Sequence, residues 1–169
     1  ERTLLNYMQR LSGIATTTSE YVNLIAGTST RLLDTRKTTP TMRILEKYAV
    51  KTGGGTNHRI GLFDMIMLKD NHIDFAGGIE KAIDRTLQYL KDKQLDLKIE
   101  IEVRNFEELQ RVLTKGGVNR IMLDNFSVED TQKAVKMIDH KYEIESSGGI
   151  TAENILSYAQ TGVDFISVG

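Results

Sequence analysis

The sequence predicts a parallel α/β fold of the (β/α)-barrel type, preceded by a helical segment, and three observations carry that prediction. Short apolar, β-rich runs alternate with stretches whose apolar residues recur every three or four positions, an order that requires parallel pairing. Several of these runs are apolar almost throughout, as strands buried on both faces are. Each run also ends in polar residues or glycine, and from Glu102 to Asp124 to Ser147 to Gly169 the steps are 22, 23 and 22 residues, about one βα unit each. A polar group that returns once per unit is expected at one height of the barrel, on the face where the carboxyl ends of all strands open.

Taken in order, residues 1–26 read as a leading helix with Leu4, Leu5, Met8, Leu11 and Ile14 able to line one face. Strands are expected over 30–33, 65–68, 98–103, 120–123, 142–145 and 165–168. Helices are expected over 41–50, 79–92, 106–115, 128–138 and 152–161, with Ser127 and Thr151 as capping residues for the last two. A chain of 169 residues with 40% apolar composition suits one domain with a sizeable core. No apolar run approaches the roughly 18 residues of a membrane span, and the opening residues lack the pattern of a signal peptide. With no cysteine, disulfides, thiolate metal sites and cysteine nucleophiles are excluded, and a soluble, cytoplasmic protein is expected.

The charge is concentrated rather than spread. The net charge is −1, yet cations gather in DTRKTT (34–39), GGGTNHR (53–59) and LKDNH (68–72). A nucleic-acid surface would shift the whole balance, so these strand ends point to a pocket for a small polyanion. Gly53, Gly54 and Gly55 allow a close backbone approach, and His58 and Arg59 follow at once. A guanidinium fork and an imidazole together suit an anion with two acidic groups, although each pair alone is also compatible with a solvated turn. In DTRKTT, Asp34 and Arg36 can simply pair across the turn.

Lys69 follows a buried strand, and is either a Schiff-base nucleophile or a fixed charge for an anion. Glu102 and Asp124 end neighbouring strands and suit Mg²⁺, sugar hydroxyls or acid and base work, unless they only neutralise the cations. Strand alternation puts Glu100 on the same face as Glu102, and Glu102 is the one expected at the rim. The stretch Ser146-Ser147-Gly148-Gly149-Ile150-Thr151 leads from strand to helix, where backbone N–H groups and a positive helix end can hold a phosphate, with Gly169 as the companion glycine. His72 and His140 read as structural or surface residues, and no spacing matches a zinc site.

The ordered set ERTLLNYMQRLSGIAT, LLDTRKTTP, MRILEKYAVKTGGGTNHRIGLFDMIMLKDNHI, IEIEV, IMLDNFS, IESSGGIT and TGVDFISVG resembles the carboxyl-terminal domain of the quinolinate phosphoribosyltransferases, also called carboxylating nicotinate-nucleotide pyrophosphorylases. The resemblance covers essentially the whole chain. It implies an excerpt lacking an amino-terminal domain and the extreme carboxyl terminus, hence an incomplete barrel. It also implies the substrates quinolinate and phosphoribosyl pyrophosphate, Mg²⁺ as cofactor, and nicotinate mononucleotide, pyrophosphate and CO₂ as products in NAD biosynthesis.

Position by position, the resemblance assigns Arg36, His58, Arg59 and Lys69 to the two quinolinate carboxylates and Lys37 to the pyrophosphate or substrate. Glu102 and Asp124 match acidic residues near the ribose hydroxyls and metal, in direct or indirect contact. Ser147, Gly148, Gly149 and Gly169 match the region receiving the 5-phosphate. Arg2 matches an arginine that reaches into a neighbouring subunit's site, which implies a homodimer or higher homo-oligomer. Thr41 stands where the family usually has glycine, so an unusual backbone is expected after Pro40. Three alternatives remain open at this point: a related phosphoribosyltransferase-like protein of molybdenum transport with another acceptor, a Schiff-base aldolase using Lys69, and a non-enzymatic sugar-phosphate sensor.

Overall fold

The computed structural model describes residues 1–169 and shows one six-stranded, all-parallel sheet with helices on its outer face. The elements are α1 (Arg2–Leu24), β1 (Arg31–Leu33), α2 (Arg43–Thr52), β2 (Ile66–Leu68), α3 (Asp70–Ala76), α4 (Ile79–Lys93), β3 (Ile99–Val103), α5 (Phe106–Lys115), β4 (Arg120–Asp124), α6 (Val128–Ile138), β5 (Glu143–Ser147), α7 (Ile155–Ala159) and β6 (Phe165–Ser167). The strands run in the order β1-β6-β5-β4-β3-β2, so β1 and β2 are the two edges of a barrel-like sheet that does not close between them.

The apolar core lies outside the barrel. Leu32, Leu68, Ile101, Leu123, Ile144 and Ile166, one from each strand, pack against Ile83 of α4, Leu109 of α5 and Ile155 of α7. The alternate positions face inward, and they are largely polar. In register these are Arg31 and Phe165, Glu145 with Met122, and Glu100 with Met67. Branched aliphatic side chains usually fill such an interior. Here Arg120 stacks over the Phe165 ring at 3.9 Å and Arg31 over the same ring at 4.4 Å, so cation–π contact replaces part of that packing. β3 and β5, with their IEIEV and EIESS patterns, alternate between the two environments.

The open seam positions the site. Thr56 N donates to Leu32 O at 2.8 Å, and Asp34 N donates to Thr56 O at 3.2 Å, so the glycine-rich segment continues the sheet for one residue at the β1 edge. His58 and Arg59 thus enter the seam between β1 and β2.

Three expectations need correction. A seventh helix-sized element, α3, starts directly behind Lys69; its seven residues carry Phe75 at 89% exposure, which erases the apolar periodicity that would have signalled it. The last helix begins at Ile155 rather than 152, residues 152–154 forming a turn in which Asn154 Oδ1 accepts the Thr151 N–H at 2.8 Å. On α1, Leu4, Leu5 and Met8 are exposed, and only Leu11 and Ile14 are half-buried. Ser127 caps α6 as expected, accepting the Asp130 N–H, and Asn105 caps α5 by accepting the Glu108 N–H.

Candidate active site

Eight of the residues singled out in the sequence line one cavity of about 370 Å³ at the carboxyl ends of the strands: Arg36, Lys37, His58, Arg59, Lys69, Glu102, Asp124 and Ser147. A larger cavity, about 720 Å³, lies between α1 and the ends of β1 and β6. Its one cation is Arg10, already paired with Glu46 at 2.8 Å, so the smaller cavity holds the chemistry. The regular spacing of the polar groups is real but staggered. Asp124 stands opposite Ser147, whereas Glu102 stands opposite Met122, one layer deeper.

The β1 end and the loop are fastened by one carboxylate. Asp34, buried, pairs with the equally buried Lys47 of α2 rather than with Arg36. It also accepts the His58 N–H at 2.8 Å and the Asn57 Nδ2–H at 2.6 Å. Replacing either partner alone would strand a buried charge. Arg36, two residues on, is left facing the cavity with a buried Nε that has no protein acceptor. Arg59 donates to Met65 O at 3.3 Å, and its pKa is lowered by burial first and by the like charge of Arg36 second. Two guanidinium groups held near one another are a receptor for an anion with acidic groups.

His58 is turned into the barrel. Its Nε2 lies 2.9 Å from Glu100 Oε2 and 3.2 Å from Glu145 Oε2, while Nδ1 accepts the Arg59 N–H at 2.8 Å. Burial alone would lower its pKa, but hydrogen bonds to Glu100 and Glu145 prevail and raise it to about 9. Against that pull, the Arg59 N–H can point at Nδ1 only while Nδ1 is bare. The geometry accordingly fixes the neutral ring with its proton on Nε2. Burial, opposed by the His58 hydrogen bond, pushes Glu100 up to about 7; at Glu145 burial also pushes upward, but His58 together with hydrogen bonds from Glu100 and Ser167 brings that carboxyl below its ordinary value.

Lys69 Nζ donates to Glu102 Oε2 at 3.1 Å, and Lys69 N donates to His72 Nδ1 at 3.0 Å, which gives His72 its structural role at the start of α3. Asp124 accepts from Asn125 Nδ2 at 2.9 Å. The two carboxylates offer oxygen ligands at adjacent strand ends without forming a closed cage, which fits Mg²⁺, an ion that keeps waters and shares substrate phosphates. The tighter cluster of ligand-type atoms, within 4.8 Å of one another, is the buried trio His58, Glu100 and Glu145.

The phosphate expectation takes a different form. Because α7 starts five residues past Ile150 and has only five residues, no helix end sits on the Gly148-Gly149 turn. Instead these two glycines adopt consecutive positive φ values of 94° and 63°, a backbone concavity of the kind that binds anions. A Cβ on Gly148 would come within 2.2 Å of Asn125 Oδ1, so that glycine is required sterically as well. Gly169 lies beside Thr35 and Lys37 on the neighbouring wall and lines the larger cavity. Arg2 lies at the exposed start of α1 and does not line the cavity. Sequence reasoning missed Lys47, Asn57, Glu145 and Arg120. Glu145 and Arg120 both lie on the inward phase of their strands, but the side chains they meet are set by cross-strand register.

Comparison with known proteins adds the family. The model of "Quinolinate phosphoribosyl transferase, C-terminal domain" matches residues 14–169. The chain is 45% identical to a quinolinate phosphoribosyltransferase [decarboxylating] of Nicotiana tabacum, covering 100% of this chain and 52% of that protein. It is 49% identical to a probable nicotinate-nucleotide pyrophosphorylase [carboxylating] of Synechocystis, covering 99% and 56%. The solved nicotinate-nucleotide pyrophosphorylase of Francisella tularensis superposes with a TM-score of 0.94 at 48% identity, over 100% of this chain and 59% of that one. The chain thus spans about half the length of the curated relatives it matches.

Proposed function

The chain belongs to the quinolinate phosphoribosyltransferase family through its C-terminal domain, and from that premise we propose that the complete protein joins quinolinate to phosphoribosyl pyrophosphate in NAD biosynthesis. The products are nicotinate mononucleotide, pyrophosphate and CO₂. The observation that carries this reading is the pairing in one 370 Å³ cavity of Arg36 and Arg59, with the Arg36 Nε buried and unpartnered, against Glu102 and Asp124 on the facing strands.

Arg36 and Arg59, assisted by Lys37 and Lys69, hold the two carboxylates of the pyridine. Breaking the bond from ribose C1 to pyrophosphate oxygen leaves an oxocarbenium-like carbon, which Glu102 and Asp124 face with negative charge. The ring nitrogen attacks that carbon. The resulting pyridinium accepts the electron pair as the adjacent carboxylate leaves as CO₂, and the vacated ring carbon then takes up a proton. The Gly148-Gly149 turn, with Ser147 and Gly169, receives the 5-phosphate. Glu102 and Asp124 would hold Mg²⁺ directly or through water, and the ion would supply positive charge to the leaving pyrophosphate.

We propose a cytoplasmic homodimer or higher homo-oligomer. The exposed Leu4, Leu5 and Met8 of α1 give a partner subunit an apolar strip beside Arg2. The deciding assay uses the full polypeptide and follows pyrophosphate release. Release that requires quinolinate and is accompanied by CO₂ supports the assignment. Release with a different acceptor and none with quinolinate points to the molybdenum-associated relatives, and binding without turnover points to a sensor.

A further inference from the structure

The deepest part of the site is a polar column that the proposed chemistry leaves unused. It runs from Arg120 on β4 through Glu145 on β5 to His58 and then to the backbone of Arg59. Arg120 NH1 donates to Glu145 Oε2 at 3.2 Å, and that same oxygen lies 3.2 Å from His58 Nε2. His58 Nδ1 then accepts the Arg59 N–H at 2.8 Å. Glu145 is 0% exposed, and Arg120 is itself steadied by Glu143 and by the Phe165 ring. Every joint of this column is buried, and each rests on a regular strand until it reaches the loop.

We propose that Glu145 is a positioning residue for acceptor recognition: by holding the His58 imidazole at Nε2, it turns Nδ1 toward the Arg59 N–H and so fixes where the Arg59 guanidinium stands. The loop has no regular secondary structure of its own at this point, so its placement depends on side-chain anchors. Asp34 anchors the loop from the β1 side through the His58 N–H, and Glu145, with Glu100, anchors it from inside the barrel through the ring. Arg59 is thereby held by its backbone at one end and by the Met65 carbonyl and the Met67 sulfur at the other. An arginine fixed this way presents its donors without having to be ordered by the substrate.

The proposal rests on the acceptor-binding reading above, and it is tested with a readout that does not. In the full polypeptide carrying ¹⁵N-histidine and no substrate, the His58 resonances are expected to show a bare Nδ1 and a protonated Nε2. Glu145→Ala is expected to disturb that signature and to raise the quinolinate KM about tenfold, the scale of one lost buried hydrogen bond, while the KM for phosphoribosyl pyrophosphate stays near its starting value. Glu145→Gln, which still offers an oxygen to Nε2–H, is expected to restore both. Glu145→Asp keeps the charge but withdraws the acceptor, and serves where the alanine variant does not fold; it is expected to behave like alanine. A His58 signature unchanged in Glu145→Ala or Glu145→Asp overturns the proposal, as does an equal rise in both KM values. Failure of the wild-type protein to use quinolinate would sink the acceptor reading alone and leave the histidine signature to be judged separately.

Discussion

Lys69 Nζ donates to Glu102 Oε2 at 3.1 Å, across the ends of two hydrogen-bonded strands. Nζ is engaged in an ion pair with a neighbouring strand's carboxylate, an arrangement that suits a fixed charge beside an anion pocket better than an attacking nucleophile. Borohydride added during turnover is expected to leave its mass unchanged, and Lys69→Ala is expected to lower kcat about a hundredfold or more through loss of an electrostatic partner. A reduced substrate adduct on Lys69 would restore the aldolase reading.

Arg59 is destabilised as a cation by burial and by Arg36, and an anion bound between them relieves both costs. Arg59→Ala should raise the quinolinate KM by about 10- to 100-fold, as removal of charge-assisted hydrogen bonds implies, with a smaller change in kcat. Wild-type saturation by quinolinate in that variant would take Arg59 out of the carboxylate site.

What the sequence made legible follows a physical divide. The strand ends Arg36, Lys69, Glu102, Asp124 and Ser147 were readable because each closes a β-rich run, and parallel strands bring their ends together whatever lies between. The supports behind them were not. Lys47 sits in a helix among charges that look solvated, and only the tertiary fold reveals that it is 3% exposed against Asp34. Glu145 and Arg120 depend on cross-strand register, which alternation within one strand does not supply. The helix end expected close behind the Gly148-Gly149 turn lies further along the chain, because residues 152–154 form a turn and regular helix starts only at Ile155.

Acid should loosen the joint between α1 and α2. Glu46 accepts from Arg10 at 2.8 and 3.1 Å and from the Thr39 N–H at 3.0 Å. Burial would raise its pKa, but the Thr39 and Arg10 hydrogen bonds overcome that and bring it below its usual value. A folded pKa below the unfolded one means the stabilisation is complete above the unfolded value and disappears as pH falls through the folded one. The urea midpoint of Glu46→Gln should accordingly lie below that of the wild type near neutral pH, and the gap should narrow as pH falls below the ordinary carboxylate range. A gap that stays constant with pH would assign the effect to packing.

Thr41 adopts a φ of 66°, in the left-handed region, immediately after Pro40 and exposed to solvent. A β-branched residue is poorly suited to this conformation, which costs an ordinary L-residue about 1–2 kcal/mol. Glycine removes that strain but adds freedom to the unfolded chain worth about 0.5–1 kcal/mol, so the two effects partly offset. Thr41→Gly is expected to stabilise the protein by about 0.5–1 kcal/mol, visible as a rise in Tm of about 1–4 °C for a domain of this size. The turn also carries the chain from the Arg36-Lys37 strand end into α2, whose Lys47 holds Asp34, so its geometry sets the wall of the cavity. If the observed backbone is the one the site needs, the glycine variant should gain stability with its quinolinate KM unaltered. A lower Tm would mean that threonine is accommodated there without strain.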